Sequence, residues 1–294
     1  MQNRTDDRIS KFLKTACEIP SLDAAVKKLL LLSEKEASPR EFAALIQRDQ
    51  GLAAKVLRLV NSAFYALGKS IVSIPHASAL LGTKTLKSLV LSVKVTNLMK
   101  KAAAGLDPLV FWRHSIATAI ASQRLAQLVL PSMEDDVYVA GLFHDAGIAL
   151  LAKHVPEDYT RVLRAARSLG RNLACMEEEF FGISHAEMGW SLASRWKFSS
   201  LVADAIRFHE TEISRWTLTN PQDLKGVGVV MFADVIAAHV GLDFDGKAPG
   251  LSPLPQAPSF LGLEPADVEA IALALPSDVA EKESILMPQD AVTA

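Results

Sequence analysis

Two cysteines in 294 residues, Cys17 and Cys175, are too few for a disulfide framework, and they form neither a Cys-x-x-Cys pair nor a metal cluster. Both read as small buried hydrophobes. Long apolar runs are missing too. Leu29 to Leu32 falls far short of the roughly 18 residues that a bilayer span requires, so no membrane partner is expected. Met1 to Lys14 is polar and charged, unlike a secretory signal, and the expected location is cytoplasmic. Neither sign of charge dominates. With 31 Lys and Arg against 33 Asp and Glu, the formal net charge is −2, which lacks the electrostatic footprint of a nucleic-acid binder. A local basic patch around Lys84, Lys87 and Lys94 does not change that expectation. Period-two alternation of any length is also lacking, which argues against strands.

What is present is helical periodicity and enough apolar mass, 50% of residues, for a full core. Leu22, Val26, Leu29, Leu30 and Leu32 suit one helical face. Ser38-Pro39-Arg40-Glu41 carries a serine cap, a first-turn proline and a glutamate at capping-box distance, and the helix it starts turns Phe42, Leu45 and Ile46 inward. Ala53, Val56, Leu57 and Val60 form a further amphipathic stretch. Pro75 opens a segment to Leu81, and Gly82-Thr83 interrupts before Leu86 to Met99. Larger helices are predicted over 109–128, 134–153, 156–170, 173–181, 184–196, 201–210 and 224–240. Four prolines between Lys247 and Pro258 predict an irregular connection, followed by a short helix over 265–275 and a frayed end from Glu283. The fold class is all-α, with two packed helical subdomains. The expected divisions are 1–105, 106–245 and 246–294, with a joint near Lys100–Pro108.

Against this background two carboxylates stand out. Between Val137 and Ala152 the chain is apolar or small apart from Tyr138 and the pair His144-Asp145. Asp234 sits likewise in the middle of Gly226–His239. A helix apolar on most faces is buried, and an ionised carboxylate inside it is costly unless it is paired or binds a metal. His114, His185 and His209 lie at the start or end of neighbouring amphipathic helices and could face the same interior. Imidazole and carboxylate together suit Zn, Fe or Mn. Adjacent residues point about 100° apart on a helix, so His144 and Asp145 can share one ion only if it lies close to the backbone. His76, His154 and His239 read as ordinary residues, and Phe64-Tyr65 and Phe180-Phe181 as core.

The order His114, then His144-Asp145, then Asp234 resembles the HD superfamily of helical metal-dependent phosphohydrolases. Trp112-x-His114-Ser115 and Gly141-Leu142-Phe143-His144-Asp145-x-Gly147 resemble its HDOD variant. Ile19-Pro20-Ser21-Leu22, Ile46-x-x-Asp49, Leu57-x-Leu59-Val60-Asn61-Ser62-Ala63-Phe64-Tyr65 and Ile74-x-x-Ala77-x-x-Leu80-Leu81-Gly82 are similar to the helical subdomain that precedes the HD part in such proteins. The resemblance covers about 19–242 and implies an HD-type bundle in the second subdomain. It further implies one metal held by His114, His144, Asp145 and Asp234. A second would be bridged by Asp145 and held by His185 and His209, with Glu210 near enough to contribute. The cofactor implied is one or two divalent ions of Fe, Mn or Zn.

The same resemblance divides on function. HDOD proteins are similar to output or regulatory modules of bacterial signal transduction, acting through a protein partner or a small nucleotide ligand. The alternative is a metal-dependent phosphohydrolase or phosphodiesterase acting on a nucleotide or cyclic dinucleotide. Relatives that cleave cyclic di-GMP carry a Gly-Tyr-Pro signature, which occurs nowhere here. The catalytic lysine often found just after the HD pair is replaced by Ala146-Gly147-Ile148-Ala149. The expectation is therefore a binding module rather than an enzyme. Ser73 to Leu91 could be drawn as a helix-turn-helix, but its second helix is apolar at Leu86, Leu89, Val90 and Val93 and reads as packing.

Overall fold

The computed structural model describes residues 38–62, 70–99, 106–244 and 256–286, with side chains assigned throughout except at 94–99. Among the described residues all regular structure is helical, without a strand, and no helix is long and apolar enough to cross a membrane. Several sequence expectations fall outside these residues: the Leu22–Leu32 face, Cys17, Phe64-Tyr65, most of the Lys100–Pro108 joint and most of the proline-rich connection. The described residues divide into two compact units, one formed by 38–97 with 277–286 and the other by 98–276.

In the smaller unit, α1 (Pro39–Gln47) starts on the predicted capping box. Ser38 Oγ accepts from the Glu41 N–H at 3.3 Å and Glu41 Oε2 accepts from the Ser38 N–H at 2.9 Å. α2 (Gln50–Val60) is capped by Asp49 and buries Leu52, Val56, Leu59 and Val60; Ala53 and Leu57 lie at the margin of that face. α3 (Ile74–Met99) is two helices joined at Gly82, whose φ of 81° and ψ of 168° suit a residue without Cβ. Its second half buries Leu86, Leu89, Val90 and Val93, the packing face expected from the sequence.

The larger unit is a helical bundle. α4 (Pro108–Val129), α5 (Glu134–Phe143), α10 (Ser200–Phe208) and α11 (Leu224–His239) form its centre, with α4 against α5 and α11, and α10 against α5 and α11. α6 (Ala146–His154) packs on α9 (His185–Arg195), while α7 (Pro156–Leu169) and α8 (Leu173–Phe181) form an outer pair. Their bounds follow from local chemistry. Asp107 and Ser184 cap α4 and α9 through side-chain bonds to backbone N–H groups. α4 and α11 are buried around most of their circumference, Asp234 included.

Four expectations need correction. The helix predicted over 134–153 is broken at the HD pair into α5 and α6: Asp145 has φ −99° and ψ 11°. The reason is local, because His144 Nδ1–H donates to the Gly141 carbonyl at 2.6 Å, the acceptor that the Asp145 N–H would take in a continuous helix. The last helix, α12 (Pro265–Leu286), runs past Pro276 rather than stopping at 275, and it is still helical at 283–286. Leu275 and Val279, on either side of the proline, are both buried, and that packing outweighs the lost hydrogen bond. Cys175 is exposed rather than buried, because the face of α8 that turns inward carries Leu173 and Glu177. Phe180 is exposed as well, while its neighbour Phe181 stacks on Tyr159 with centroids 6.2 Å apart.

Candidate metal centre

All six residues singled out in the sequence converge in the larger unit, and none is more than 5% exposed. α4 supplies His114, the α5–α6 break supplies His144 and Asp145, and the first residue of α9 is His185. His209 follows the last turn of α10, and α11 supplies Asp234.

Five of them fall into two groups that share Asp145, His114 with His144 and His185 with His209, and Asp234 stands beside the first. In the first, His114 Nε2 lies 3.1 Å from His144 Nε2, 3.4 Å from Asp145 Oδ2 and 3.1 Å from Asp234 Oδ1. His144 Nε2 lies 3.0 Å from Asp145 Oδ2 and 3.8 Å from Asp234 Oδ1. In the second, Asp145 Oδ1 stands 3.4 Å from His185 Nε2 and 3.3 Å from His209 Nε2, and these two nitrogens are 3.4 Å apart. Glu210 Oε2 is 3.8 Å from His185 Nε2. Ligand atoms about 2.1 Å from one ion stand roughly 3.0–3.4 Å from each other in octahedral or tetrahedral geometry. The contacts within His114, His144 and Asp145 and within Asp145, His185 and His209 have that spacing, as does Asp234 to His114.

The hydrogen bonds on the far side of each ring decide what faces inward. His114 Nδ1 meets the Leu242 carbonyl at 2.8 Å, His144 Nδ1 the Gly141 carbonyl at 2.6 Å, and His209 Nδ1 the Ile206 carbonyl at 2.8 Å. A carbonyl can only accept, so each Nδ1 carries a proton and Nε2 is the ring nitrogen that faces inward. His144 and His209 use the same device, a helix-terminal histidine bonded to the carbonyl three residues earlier. His185 differs. Its Nδ1 lies 2.6 Å from Glu177 Oε2, which also accepts its backbone N–H at 2.6 Å, while the Tyr159 hydroxyl donates to Glu177 Oε1 at 2.7 Å. Four imidazole nitrogens and the two carboxylates of Asp145 and Asp234 thus form an inward-facing set of electron-pair donors, and a divalent cation fits its chemistry.

Protons compete for the same atoms. Burial lowers the pKa of His114, but Asp145 and Asp234 outweigh it and hold the ring well above the usual histidine range. Burial likewise opposes charge on His185, yet Glu177, Glu210 and Asp145 push it up to about 10. For Asp145, burial acts against ionisation; His144, His114 and His209 reverse the balance and keep its pKa well below the ordinary carboxylate range.

Close backbone approach makes the cluster possible. A Cβ at Gly147 would overlap the His185 carbonyl oxygen and lie 2.9 Å from the Gly189 nitrogen. Only a glycine two residues after Asp145 lets α6 come near enough to the first turn of α9 to set Asp145 beside His185. Gly141 does the same for α5 against α4, where a Cβ would lie 2.9 Å from the Thr118 carbonyl.

Sequence reasoning missed Glu177 and Tyr159. Glu177 is the first of three consecutive glutamates, a run that carries no apolar signal of burial. The available signal is its position four residues after Leu173, and these are the two buried residues of α8.

Comparison with known proteins bears on the fold and the family. A protein of Treponema pallidum (strain Nichols), itself uncharacterized, is 26% identical over 216 residues, 71% of this chain and 41% of that protein, so the chain spans about two-fifths of its relative's length. The crystal structure of an HDOD domain protein of unknown function from Geobacter sulfurreducens superimposes with a TM-score of 0.81 at 26% identity, covering 98% of this chain and 100% of that one. A Shewanella amazonensis structure named as a candidate phosphohydrolase has a TM-score of 0.67 at 24% identity, covers 98% of each chain, and supports the fold alone. The HDOD domain profile matches residues 19–212, more than half of the sequence, and the chain belongs to the HDOD family.

Proposed function

We propose that this chain is a regulatory HDOD module of bacterial signal transduction whose HD centre holds one or two divalent cations and which acts by binding a nucleotide ligand or a protein partner. The observation that carries this reading is the double role of Asp145, whose two oxygens face two separate histidine pairs inside a site with every ligand at least 95% buried. Imidazole and carboxylate suit Zn, Fe and Mn, and the second ion would be held by Asp145, His185 and His209 with Glu210 close by. Ala146 to Ala149, directly after the pair, are buried and provide no cation for a phosphate. That favours binding over turnover.

The same bridging carboxylate favours a second reading, a metal-dependent phosphohydrolase, because two ions joined by one carboxylate can both activate a water and stabilise developing charge on phosphate. One experiment separates the two. Protein purified without chelator is analysed for metal and screened against nucleotide phosphoesters and cyclic dinucleotides. Up to two ions per chain without turnover supports the regulatory module. Turnover that disappears in Asp145→Ala supports the hydrolase. Protein without metal that also fails to take up Mn(II), Zn(II) or Fe(II) overturns both.

A further inference from the structure

We infer that Glu177 is a positioning residue that makes the second cation position chemically distinct from the first. The inference rests on the metal-binding reading and deepens it.

Three of the four inward-facing imidazoles are oriented by neutral backbone carbonyls, those of Leu242, Gly141 and Ile206. His185 is oriented by a carboxylate. Glu177 is fully buried, and its hydrogen bonding centres on this one residue. Oε2 takes both the backbone N–H and the ring Nδ1–H of His185, and Oε1 is fixed by Tyr159. The three residues lie on α7, α8 and α9, so the packing of three helices sets the direction of a single ring.

A hydrogen bond to an ionised acceptor is shorter and about twice as strong as one to a neutral acceptor. A carboxylate behind an imidazole also makes the opposite nitrogen a better donor to a cation. His185 is therefore the strongest imidazole donor of the centre, and its strength comes from Glu177 rather than from the ligand set. A merely structural glutamate would act through its bonds to the α9 N-terminus, and glutamine can reproduce those. The two roles separate in Glu177→Gln, which keeps the size and an accepting oxygen but removes the charge.

The test is a calorimetric titration of the chelator-stripped 294-residue chain with Co(II), with the visible cobalt spectrum followed in parallel. His209→Ala identifies the second position and Asp234→Asn the first. In Glu177→Gln, the step that His209→Ala abolishes should weaken by about 10–100-fold, while the step that Asp234→Asn abolishes stays within about threefold. Equal weakening of both steps, or of neither, overturns the inference. If the unaltered protein binds two cobalt ions and Glu177→Gln matches it, only this inference falls. If the unaltered protein binds none, the metal-binding reading falls with it. Should Glu177→Gln fail to fold, NMR of the unaltered protein labelled at histidine nitrogen answers directly. The His185 Nδ1–H proton should resonate downfield of those of His114, His144 and His209, and a position among them overturns the inference.

Discussion

Asp145 Oδ1 lies 3.4 Å from His185 Nε2, although one residue stands at the α5–α6 break and the other opens α9. The other oxygen of the same carboxylate lies 3.4 Å from His114 Nε2. One side chain therefore serves two donor groups, and losing it should differ in kind from losing any other ligand. Asp145→Asn is expected to abolish both cation steps, whereas Asp234→Asn and His209→Ala each remove one. Metal content after dialysis, measured by inductively coupled plasma mass spectrometry, checks this. An Asp145→Asn protein that retains one tightly held ion would show that the oxygens act independently.

Gly147 is expected to be as necessary to the second position as a ligand. Its Cα abuts the His185 backbone, which cannot rotate away as a side chain could. Gly147→Ala should force α6 from α9 and cost about 1–3 kcal/mol, the usual range for overpacking a tight contact. The thermal midpoint should fall, and the cation step abolished by His209→Ala should be lost while the other persists. An unchanged midpoint with both steps intact would show that the backbone yields without consequence.

How much of this was legible in the sequence follows from where the information is stored. The capping residues Ser38, Asp107 and Ser184 act on their own helices, so their elements could be placed within a residue or two. Asp145 and Asp234 announced themselves because a carboxylate in an apolar run has few bland explanations. The break at Asp145 left no such trace, since apolar periodicity continues through it and the cause is a side-chain bond from His144 to Gly141. Glu177 was hidden among identical neighbours, as its burial depends on α7 and α9 rather than on local pattern. Pro276 reads as a stop in one dimension, and only the burial of Leu275 and Val279 shows why it is not.

Lys282 offers a test of stability away from the centre. It is fully buried on α12, and burial lowers its pKa from 10.5 to about 8, with Glu281 and Asp278 partly offsetting the effect. A lysine harder to protonate when folded than when unfolded destabilises the fold wherever the unfolded chain would carry it protonated. The penalty is complete below about pH 8 and is relieved as pH rises towards 10.5. Lys282→Met should therefore raise stability at pH 7 by on the order of 2–3 kcal/mol, with the gain shrinking towards pH 10. Urea denaturation at several pH values reads this directly. A gain independent of pH would assign the effect to packing instead of charge.

Cation binding itself should depend on pH with a definite sign. In metal-free protein at pH 7, His185, with its pKa near 10, and His114, also raised, hold a proton on the ring that a cation must displace. Binding to that protein should release about two protons, one from each ring. Affinity should then increase with pH by about tenfold per unit for each proton released, and the His185 contribution should level off near pH 10. Titration of chelator-stripped protein with Mn(II) at pH 7, in two buffers of different ionisation enthalpy, counts the protons from the difference in observed heat. Heats that agree between the buffers, together with an affinity flat from pH 6.5 to 8.5, would mean that Asp145, Asp234 and Glu177 do not hold these protons against a cation.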